Sequence, residues 1–422
     1  GIEGMNIKEK VRQMGIQAKK ASRFLAVASS EQKNKALYAM ARALRDHCKE
    51  ILEVNEKDLE EGRQAGLSYA LLERLTLNEK RVEAMAVGLE EIAAFRDPVG
   101  EVLGMWSGQG GIRIGRVRVP LGVIGIIYES RPNVTADAAG LCLKAGNSVI
   151  LRGGKEALHS NRVIAQVISE GATGAGIPEG AINIIDSPDR EATMALMKMN
   201  DYLDVLIPRG GKSLKKAVQE NATVPFIMTG MGNCHIFVDE TADMEKAVPI
   251  ILNAKTQRPS TCNSVETLLV HSNIASQFIP QAMAALHEKG VEIRGDKTVC
   301  ALDAQALPAT DEDWATEYSD LILAVKIAES LDEAMDHIAA YSTGHSDAIL
   351  TESYSNAQKF LNGVDSAAVC VNASTRFTDG GVFGFGAEIG ISTQKLHARG
   401  PMGVEQLTST KFIIYGNGQI RE

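Results

Sequence analysis

The stretch GVIGIIYESRPNVTADAAGLCLKAGNSVILR, residues 122–152, decides the fold class. It contains two short apolar runs, 122–127 and 148–152, on either side of a segment with helical spacing, 134–145. Strands that are apolar on both faces and are joined through a helix are typical of a parallel sheet with covered faces. This stretch therefore predicts a strand–helix–strand unit at the centre of an α/β domain.

The same alternation continues along the chain in two blocks. In the first block, further strands are predicted at 182–185, 203–207 and 224–228, with helices at 160–170, 189–199 and 212–220. After a turn near 229–233, strands are predicted at 235–239, 265–270, 321–326, 347–350 and 367–372, with helices at 243–255, 275–289, 331–340 and 353–362. We therefore predict an α/β fold with two successive parallel-sheet domains.

The two ends of the chain have a different pattern. The segment before Pro98 is predicted to be helical, and Ser29 with Gln32 forms a capping-box pattern within it. Residues 112–119 alternate apolar and basic side chains, which predicts a half-exposed strand, and 411–415 is a second strand that could pair with it. The four residues before Met5 are taken as an added leader and are left out of the fold.

Composition excludes several classes of protein. The 422 residues include 44 Lys and Arg against 53 Asp and Glu, a net charge of −9, and 5% are aromatic, which argues against a nucleic-acid-binding protein. No apolar run approaches the roughly 18 residues that a membrane helix needs, so we predict no membrane span. The six cysteines are scattered without CxxC spacing, which favours a reducing cytoplasm over a disulfide framework.

Several standard ligand motifs are absent. Gly210-Gly-Lys-Ser213 resembles the end of a phosphate-binding P-loop, but Leu206 occupies the position of the leading glycine. No GxGxxG follows the strand at 122–127, so the usual dinucleotide fingerprint is missing. No HxxxH pair lies on a predicted helix, and we predict no metal site. A ligand must therefore be held in another way.

The most informative segment is QRPSTCNS, residues 257–264. An isolated cysteine is usually a small core residue, and the other five cysteines fit that description. Cys262 differs because it follows a proline-broken helix end, lies among hydroxyl side chains, and has Arg258 four residues before it. A nearby cation and exposed backbone amides lower the pKa of a thiol, and the thiolate is the reactive form. Cys262 is therefore the candidate nucleophile.

Together with five further motifs, this segment resembles the gamma-glutamyl phosphate reductase family of the aldehyde dehydrogenase superfamily. These motifs are YESRPN at 128–133, LRGGKEA at 151–157, TGMGNCH at 229–235, DHIAAYSTGHSDAI at 336–349 and LHARGPMG at 396–403. The resemblance extends from Met5 to the C-terminus. It implies a cofactor-binding domain at 5–106 and 120–229, a catalytic domain at 230–395, and an oligomerisation arm at 107–119 and 396–422.

The resemblance also implies catalytic roles. Cys262 is the nucleophile, and its backbone N–H would bind the oxyanion together with the side chain of Ser130 or the nearby Asn133. Met228 stands where aldehyde-oxidising members carry a Glu that activates water. A thioether cannot accept a proton, which suits an enzyme whose thioester must survive until it is reduced.

Five residues are candidates for binding the cofactor. Arg152 matches the basic residue that reaches the adenosine ribose, and Lys155 stands where NAD-preferring members often carry Glu. A cation at that position suits a 2′-phosphate, so the resemblance implies NADPH. Glu317 matches the carboxylate that contacts the nicotinamide ribose, although a solvated surface acid is the alternative. Arg209 and Gly210 follow the strand at 203–207 and complete the set.

The activity implied is the reduction of L-glutamate 5-phosphate to glutamate 5-semialdehyde and phosphate, through a thioester on Cys262, in proline biosynthesis. The substrate carries a phosphate and an α-carboxylate, so basic residues in the matching segments are candidate anion clamps. These are Arg131, Arg258, Arg376 and Arg399.

Two alternatives stay open at the level of sequence. The first is an NAD(P)-dependent aldehyde dehydrogenase or acyl-CoA reductase of the same fold, against which the region of His337 and His345 argues. The second is a catalytically inactive scaffold, against which the intact Cys262 loop argues. The expected partners are a small-molecule substrate and further copies of the chain. A glutamate 5-kinase partner is left open, and no nucleic-acid or membrane partner is expected.

Overall fold

A computed structural model describes residues 4–422, so three of the four residues before Met5 lie outside the described residues. The α-helices of this range are α1 (Ile7–Ala26), α2 (Ser30–Asp46), α3 (Cys48–Gln64), α4 (Tyr69–Leu75), α5 (Glu79–Ala94), α6 (Asn133–Lys144), α7 (Leu158–Gly174), α8 (Arg190–Met197), α9 (Lys212–Asn221), α10 (Met244–Thr256), α11 (Ser272–Glu288), α12 (Lys297–Leu302), α13 (Leu331–Tyr341) and α14 (Tyr354–Gly363). The strands are β1 (Val102–Ser107), β2 (Arg113–Pro120), β3 (Val123–Tyr128), β4 (Ser148–Arg152), β5 (Ile182–Ile184), β6 (Val205–Arg209), β7 (Cys234–Val238), β8 (Val265–His271), β9 (Glu292–Gly295), β10 (Leu307–Pro308), β11 (Ile322–Ala328), β12 (Ser346–Leu350), β13 (Ala368–Val371), β14 (Ile391–Ser392), β15 (Gly400–Pro401) and β16 (Thr408–Tyr415).

The chain forms two compact units, each with its own parallel sheet. Unit 1 contains the described residues through Met228, together with Phe385–Gly390 and Met402–Glu422. Unit 2 contains Thr229–Gly384 and Ile391–Pro401. The predicted α/β fold class with two parallel sheets is confirmed.

The sheet of unit 1 has the strand order β5-β4-β3-β6, and all its strands are parallel. The chain moves outward from β3 to β5 and then returns to β6 on the other side of β3. In such doubly wound sheets, ligands bind beyond the carboxyl ends of the strands, where the direction of winding reverses. The topology therefore directs attention to the loops that follow β3 and β6.

One predicted strand is wrong. Residues 224–228 form only an isolated bridge between Phe226 and Leu206 instead of a strand. Pro225 lies within this run, and because proline has no N–H it cannot donate to a ladder of hydrogen bonds. The structure also contains β1, β9 and β10, which the sequence pattern did not predict.

A separate three-stranded antiparallel sheet in unit 1 has the order β1-β2-β16. Strand β16 pairs with β2 along its whole length, from Thr408 opposite Pro120 to Tyr415 opposite Arg113. The predicted pairing of the C-terminal strand with residues 112–119 is therefore confirmed. Apolar side chains remain exposed on this sheet, and the rings of Trp106 and Phe412 pack edge to face with centroids 6.3 Å apart.

The sheet of unit 2 has the order β10-β9-β11-β8-β7-β12-β13, again with parallel pairing. The four central strands, β11, β8, β7 and β12, lie side by side. The segments that lead into them therefore meet at the amino edge of this sheet. They include the turn before β7 and the loop before β8, which carries Cys262.

A buried ion pair links helices α2 and α6 of unit 1. Lys33 on α2 is fully buried, and its Nζ donates to the carbonyl of Lys144, the last residue of α6, at 2.9 Å. The same Nζ lies 2.7 Å from Oδ2 of Asp97, which also accepts from Ser30 at 2.7 Å. Burial opposes ionisation of Asp97, but the hydrogen bonds from Lys33 and Ser30 outweigh it and hold its pKa below the ordinary value.

Replacing this carboxylate should destabilise unit 1. Because Asp97→Asn leaves the Lys33 ammonium buried without a counter-charge, we expect the free energy of unfolding to fall by roughly 3 kcal/mol in urea titrations. The folded-state pKa lies below the unfolded one, so this stabilisation is present above about pH 4 and is lost as the pH falls through the folded pKa. The difference between parent and variant should therefore shrink below about pH 4. The exposed pair of Arg63 and Glu56 provides the control, since Glu56→Gln should change nothing measurable.

Candidate active site

Cys262 lies half-buried in the short loop between α10 and β8. The loop is closed by its own hydroxyl groups, because Thr261 Oγ1 and Ser264 Oγ both donate to the carbonyl of Arg258, at 2.8 and 2.6 Å. The carbonyl of Asn263 accepts a further bond of 2.6 Å from Thr375 Oγ1. These contacts hold the cysteine at the amino end of a buried strand.

A second segment of unit 2 packs directly on the backbone of Cys262. A Cβ added at Gly232 would lie 1.4 Å from the Cys262 carbonyl oxygen, so only glycine permits this approach. The thiol of Cys234 donates to the same oxygen at 3.3 Å. The N–H of Gly232 donates to the carboxylate of Glu317. The structure therefore brings Glu317 together with the turn that contacts Cys262.

The guanidinium groups of Arg258 and Arg376 interact electrostatically beside this loop. Burial lowers the pKa of Arg376, and the positive charge of Arg258 lowers it further, whereas the charges of Asp379 and Cys262 act in the opposite direction. Arg376 donates to neutral acceptors, Gln257 Oε1 at 3.1 Å and Asn263 Oδ1. Two cations next to a cysteine, one of which donates its hydrogen bonds to neutral acceptors, favour an anionic ligand.

The other five cysteines have the properties of structural thiols. None of the six cysteines, all of which lie in the described residues, forms a disulfide. Burial raises the pKa of Cys48, Cys142, Cys234, Cys300 and Cys370. Thiols of raised pKa stay protonated near neutral pH and are poor nucleophiles.

Predicted cofactor residues of unit 1 meet at the carboxyl edge of its sheet. Arg152 ends β4 opposite Ile127 of β3, and Arg209 ends β6 opposite Tyr128, so the two arginines flank the end of β3. Gly210 follows Arg209, and a Cβ there would lie 2.7 Å from the carboxyl carbon of Glu129. This edge includes the point where the winding of the sheet reverses.

The basic residues at this edge differ in exposure. Arg152 is buried, it donates to the carbonyl of Gly153, and burial lowers its pKa. Its Nε has no hydrogen-bond partner within residues 4–422. Lys155 is exposed at the start of a short turn of 3₁₀ helix. Within the described part of the chain, this edge offers the exposed ammonium of Lys155 and the unsatisfied buried Nε of Arg152 to an anionic ligand.

The loop after β3 carries Ser130, Arg131 and Asn133, all in unit 1. Ser130 has a left-handed backbone with φ of 60°, and its N–H donates to Glu156 at 2.7 Å. Asn133 begins α6 and donates to Asp137 at 3.3 Å, while Arg131 is exposed. Sequence reasoning missed Glu156, because no local pattern shows that its carboxylate holds a loop 26 residues away.

Two other sequence predictions have different surroundings. Arg399, a predicted anion clamp, belongs to unit 2 and is bound to Asp365, with its Nη2 3.0 Å from the carboxylate. The motif at 336–349 is largely structural. Its Asp347 is buried and accepts from His235, Ser342 and Ser366.

Comparison with known proteins places the chain in a family. The aldehyde dehydrogenase family model matches residues 5–300. A gamma-glutamyl phosphate reductase from Syntrophomonas wolfei is 62% identical over 416 residues, which cover 99% of each chain. The chain belongs to the gamma-glutamyl phosphate reductase family. It is an oxidoreductase of the aldehyde dehydrogenase family, whose members use NAD(P).

Solved structures agree with this assignment. The crystal structure of a gamma-glutamyl phosphate reductase from Thermotoga maritima, 51% identical, matches with a TM-score of 0.96 over 98% of this chain and 100% of that chain. An acetylating aldehyde dehydrogenase from Geobacillus thermoglucosidasius shares the fold, at 20% identity and a TM-score of 0.68 over 99% of this chain and 98% of that one. Among the described helices, none combines the length and the apolar character required to cross a membrane.

The close approach of Gly232 to Cys262 can be tested directly. In Gly232→Ala, the added methyl group must displace the Cys262 backbone, and a displacement of this size should lower reductase activity about 100-fold. The rate at which iodoacetamide alkylates Cys262, measured by peptide mass spectrometry, should change with it. Gly174→Ala is the matched control, because a Cβ at the end of α7 has no neighbour within 4 Å. Equal activity in the two variants would contradict a role for this contact.

Proposed function

We propose that the chain reduces L-glutamate 5-phosphate to glutamate 5-semialdehyde and phosphate with NADPH, as a step of proline biosynthesis. The observation that carries this proposal is the position of two guanidinium groups, those of Arg258 and Arg376, at the loop that carries Cys262. An aldehyde offers no charge to such a pair, whereas an acyl phosphate does. The relatives at about 60% identity bear the name of this activity.

In the proposed reaction, the Cys262 thiolate attacks the acyl carbon, and phosphate leaves with the electrons of the broken C–O bond. The backbone N–H of Cys262 stabilises the oxyanion, and Ser130 or Asn133 supplies the other donor. The cofactor supplies a hydride to the resulting thioester when it is bound. Collapse of the thiohemiacetal then gives the aldehyde and regenerates the thiolate.

Arg258 and Arg376 are proposed to hold the negative charges of the substrate. Arg376 is fixed by Gln257 and Asn263, so its guanidinium is pre-oriented, while Arg258 is exposed and can approach the ligand. Arg131 stays a proposed contact from unit 1. Arg399 is the weaker candidate, because its ion pair with Asp365 must be broken before it can clamp a substrate.

Met228 favours the reductase over an aldehyde-oxidising enzyme. It is 8% exposed and packs in a hydrophobic cluster of unit 1 with Val224 and Leu206. This apolar setting fits the proposal that no general base activates water at that position. It also fits a filling role in the core, which is the common use of methionine.

NADPH is proposed as the cofactor on the basis of charge. The free ammonium of Lys155 and the unsatisfied donor of Arg152 fit a 2′-phosphate better than a pair of ribose hydroxyls. Arg209 and Gly210 at the end of β6 would accept the remainder of the dinucleotide, and Glu317 the nicotinamide ribose. The nearby Glu156 acts against an anion there, but its carboxylate is engaged by Ser130.

The exposed apolar side chains of the three-stranded sheet support a homo-oligomer. Trp106 is 43% exposed, Phe412 61% and Ile414 64%, so the outer strands β1 and β16 both expose large apolar side chains. We propose that copies of the chain associate through this sheet. We also propose a cytoplasmic location, which suits six free cysteines, and keep a glutamate 5-kinase as a candidate partner for supplying an unstable acyl phosphate.

Removal of the nucleophile tests the mechanism. Cys262→Ala should lose reduction by about 10⁴-fold or more, while NADPH binding stays normal, because only covalent capture is removed. The measurement is NADP⁺ reduction in the reverse direction, which should require inorganic phosphate and not respond to coenzyme A. Cys300→Ala removes another half-buried thiol and should retain activity. Phosphate-dependent turnover in Cys262→Ala would overturn the assignment.

Reversal of one charge tests the cofactor preference. Lys155→Glu should lower the ratio of kcat/KM for NADPH over that for NADH about tenfold or more, since a charge-assisted hydrogen bond is replaced by repulsion. Lys80→Glu makes the same change at an exposed position of α5 and should leave the ratio unaltered. An unaltered ratio in Lys155→Glu would place the 2′-phosphate elsewhere.

A further inference from the structure

A second buried ion pair brackets the catalytic loop. Lys255 lies near the end of α10 and Glu266 lies in β8, on the two sides of residues 257–264. Their side chains are 0% and 1% exposed, and Lys255 Nζ lies 2.8 Å from Glu266 Oε1. The same ammonium donates to the carbonyl of Val265 at 2.9 Å. The pair therefore joins the two ends of the loop that carries Cys262.

The other oxygen of Glu266 reaches a different segment of unit 2. It accepts the backbone N–H groups of Tyr318 and of Ser319, the latter at 3.3 Å. Ser319 has a left-handed backbone with φ of 53°, a conformation that a serine adopts at a cost unless its surroundings fix it. Glu317, the residue before Tyr318, accepts the N–H of Gly232.

A buried ion pair is a weak source of net stability, because desolvation of two charges offsets most of their attraction. This one nevertheless satisfies three backbone groups, the carbonyl of Val265 and two N–H groups at 318 and 319. Each of these groups adjoins the Cys262 loop or Glu317. These contacts fix the position of the Cys262 loop and of the segment that contains Glu317.

We propose that Lys255 and Glu266 are positioning residues, which hold the Cys262 loop and the Glu317 segment in one fixed arrangement for cofactor binding. This inference rests on the proposed function, in which Glu317 contacts the nicotinamide ribose. Glu266 acts through Glu317 and touches neither substrate nor cofactor. A carboxylate is required because it presents two oxygens, one for Lys255 and one for the backbone.

The test is a double-mutant cycle read by equilibrium binding of NADPH, followed through nicotinamide fluorescence. An amide presents a single acceptor oxygen, so Glu266→Gln cannot serve Lys255 and the backbone together and should weaken binding about threefold to tenfold. Glu317→Gln should weaken it about tenfold. If Glu266 acts through Glu317, the double variant binds no more weakly than Glu317→Gln alone.

If the losses of NADPH binding in the two single variants multiply in the double variant, the positioning role is overturned and the proposed function is left intact. Unchanged binding in Glu317→Gln would instead remove the ribose contact, and both proposals about Glu317 would fall. If Glu266→Gln does not fold, Glu266→Gln combined with Lys255→Met removes both charges and should fold, with the same loss of NADPH binding. Asp97→Asn breaks the comparable buried pair of unit 1 and should leave binding unchanged. An equal loss in Asp97→Asn would mean that lowered stability alone explains the effect, which overturns the inference.

Discussion

The approach of the Gly232 backbone to the carbonyl of Cys262 is the constraint on which the catalytic unit depends. It leaves no room for a side chain, and it brings the N–H of Gly232 within reach of Glu317. The candidate nucleophile Cys262 and the predicted cofactor contact Glu317 thus both contact the turn at Gly232. A displacement of that turn would move both Cys262 and Glu317, and the surrounding contacts restrict such a displacement.

The candidate functional residues lie at the carboxyl edge of the unit 1 sheet and at the amino edge of the unit 2 sheet. In unit 1 the candidate cofactor residues end or follow strands β4 and β6, which flank β3, as expected for a doubly wound sheet. In unit 2 the turn at Gly232, the loop of Cys262 and Glu317 all precede strands, so this site is built at the amino edge. Amino edges lack the usual ligand-binding geometry of such sheets. In unit 2, side-chain contacts and Gly232 position the candidate residues, because the sheet topology does not do so.

Sequence patterns predicted the parallel strands because buried strands are apolar on both faces and are separated by helices. They failed at 224–228, where Pro225 breaks the ladder, and at β1, whose residues are largely exposed and carry no burial signal. Cys262 could be singled out from its immediate neighbours. The contacts of Glu156 and Glu266 could not, because each joins segments that are far apart in the chain.

Charged side chains of unit 2 have different partners in its buried core and at its candidate ligand-binding loop. Lys255 is matched by Glu266 at 2.8 Å, and both are withdrawn from water. Arg376 instead donates to Gln257 and Asn263, and the charge of Arg258 acts against its own. Burial and the charge of Arg258 disfavour the charged form of Arg376, the charges of Asp379 and Cys262 offset this in part, and an arriving anion would favour the charged form further. Because that gain is available only when the anion is present, binding energy could be directed to the carbon that Cys262 is proposed to attack.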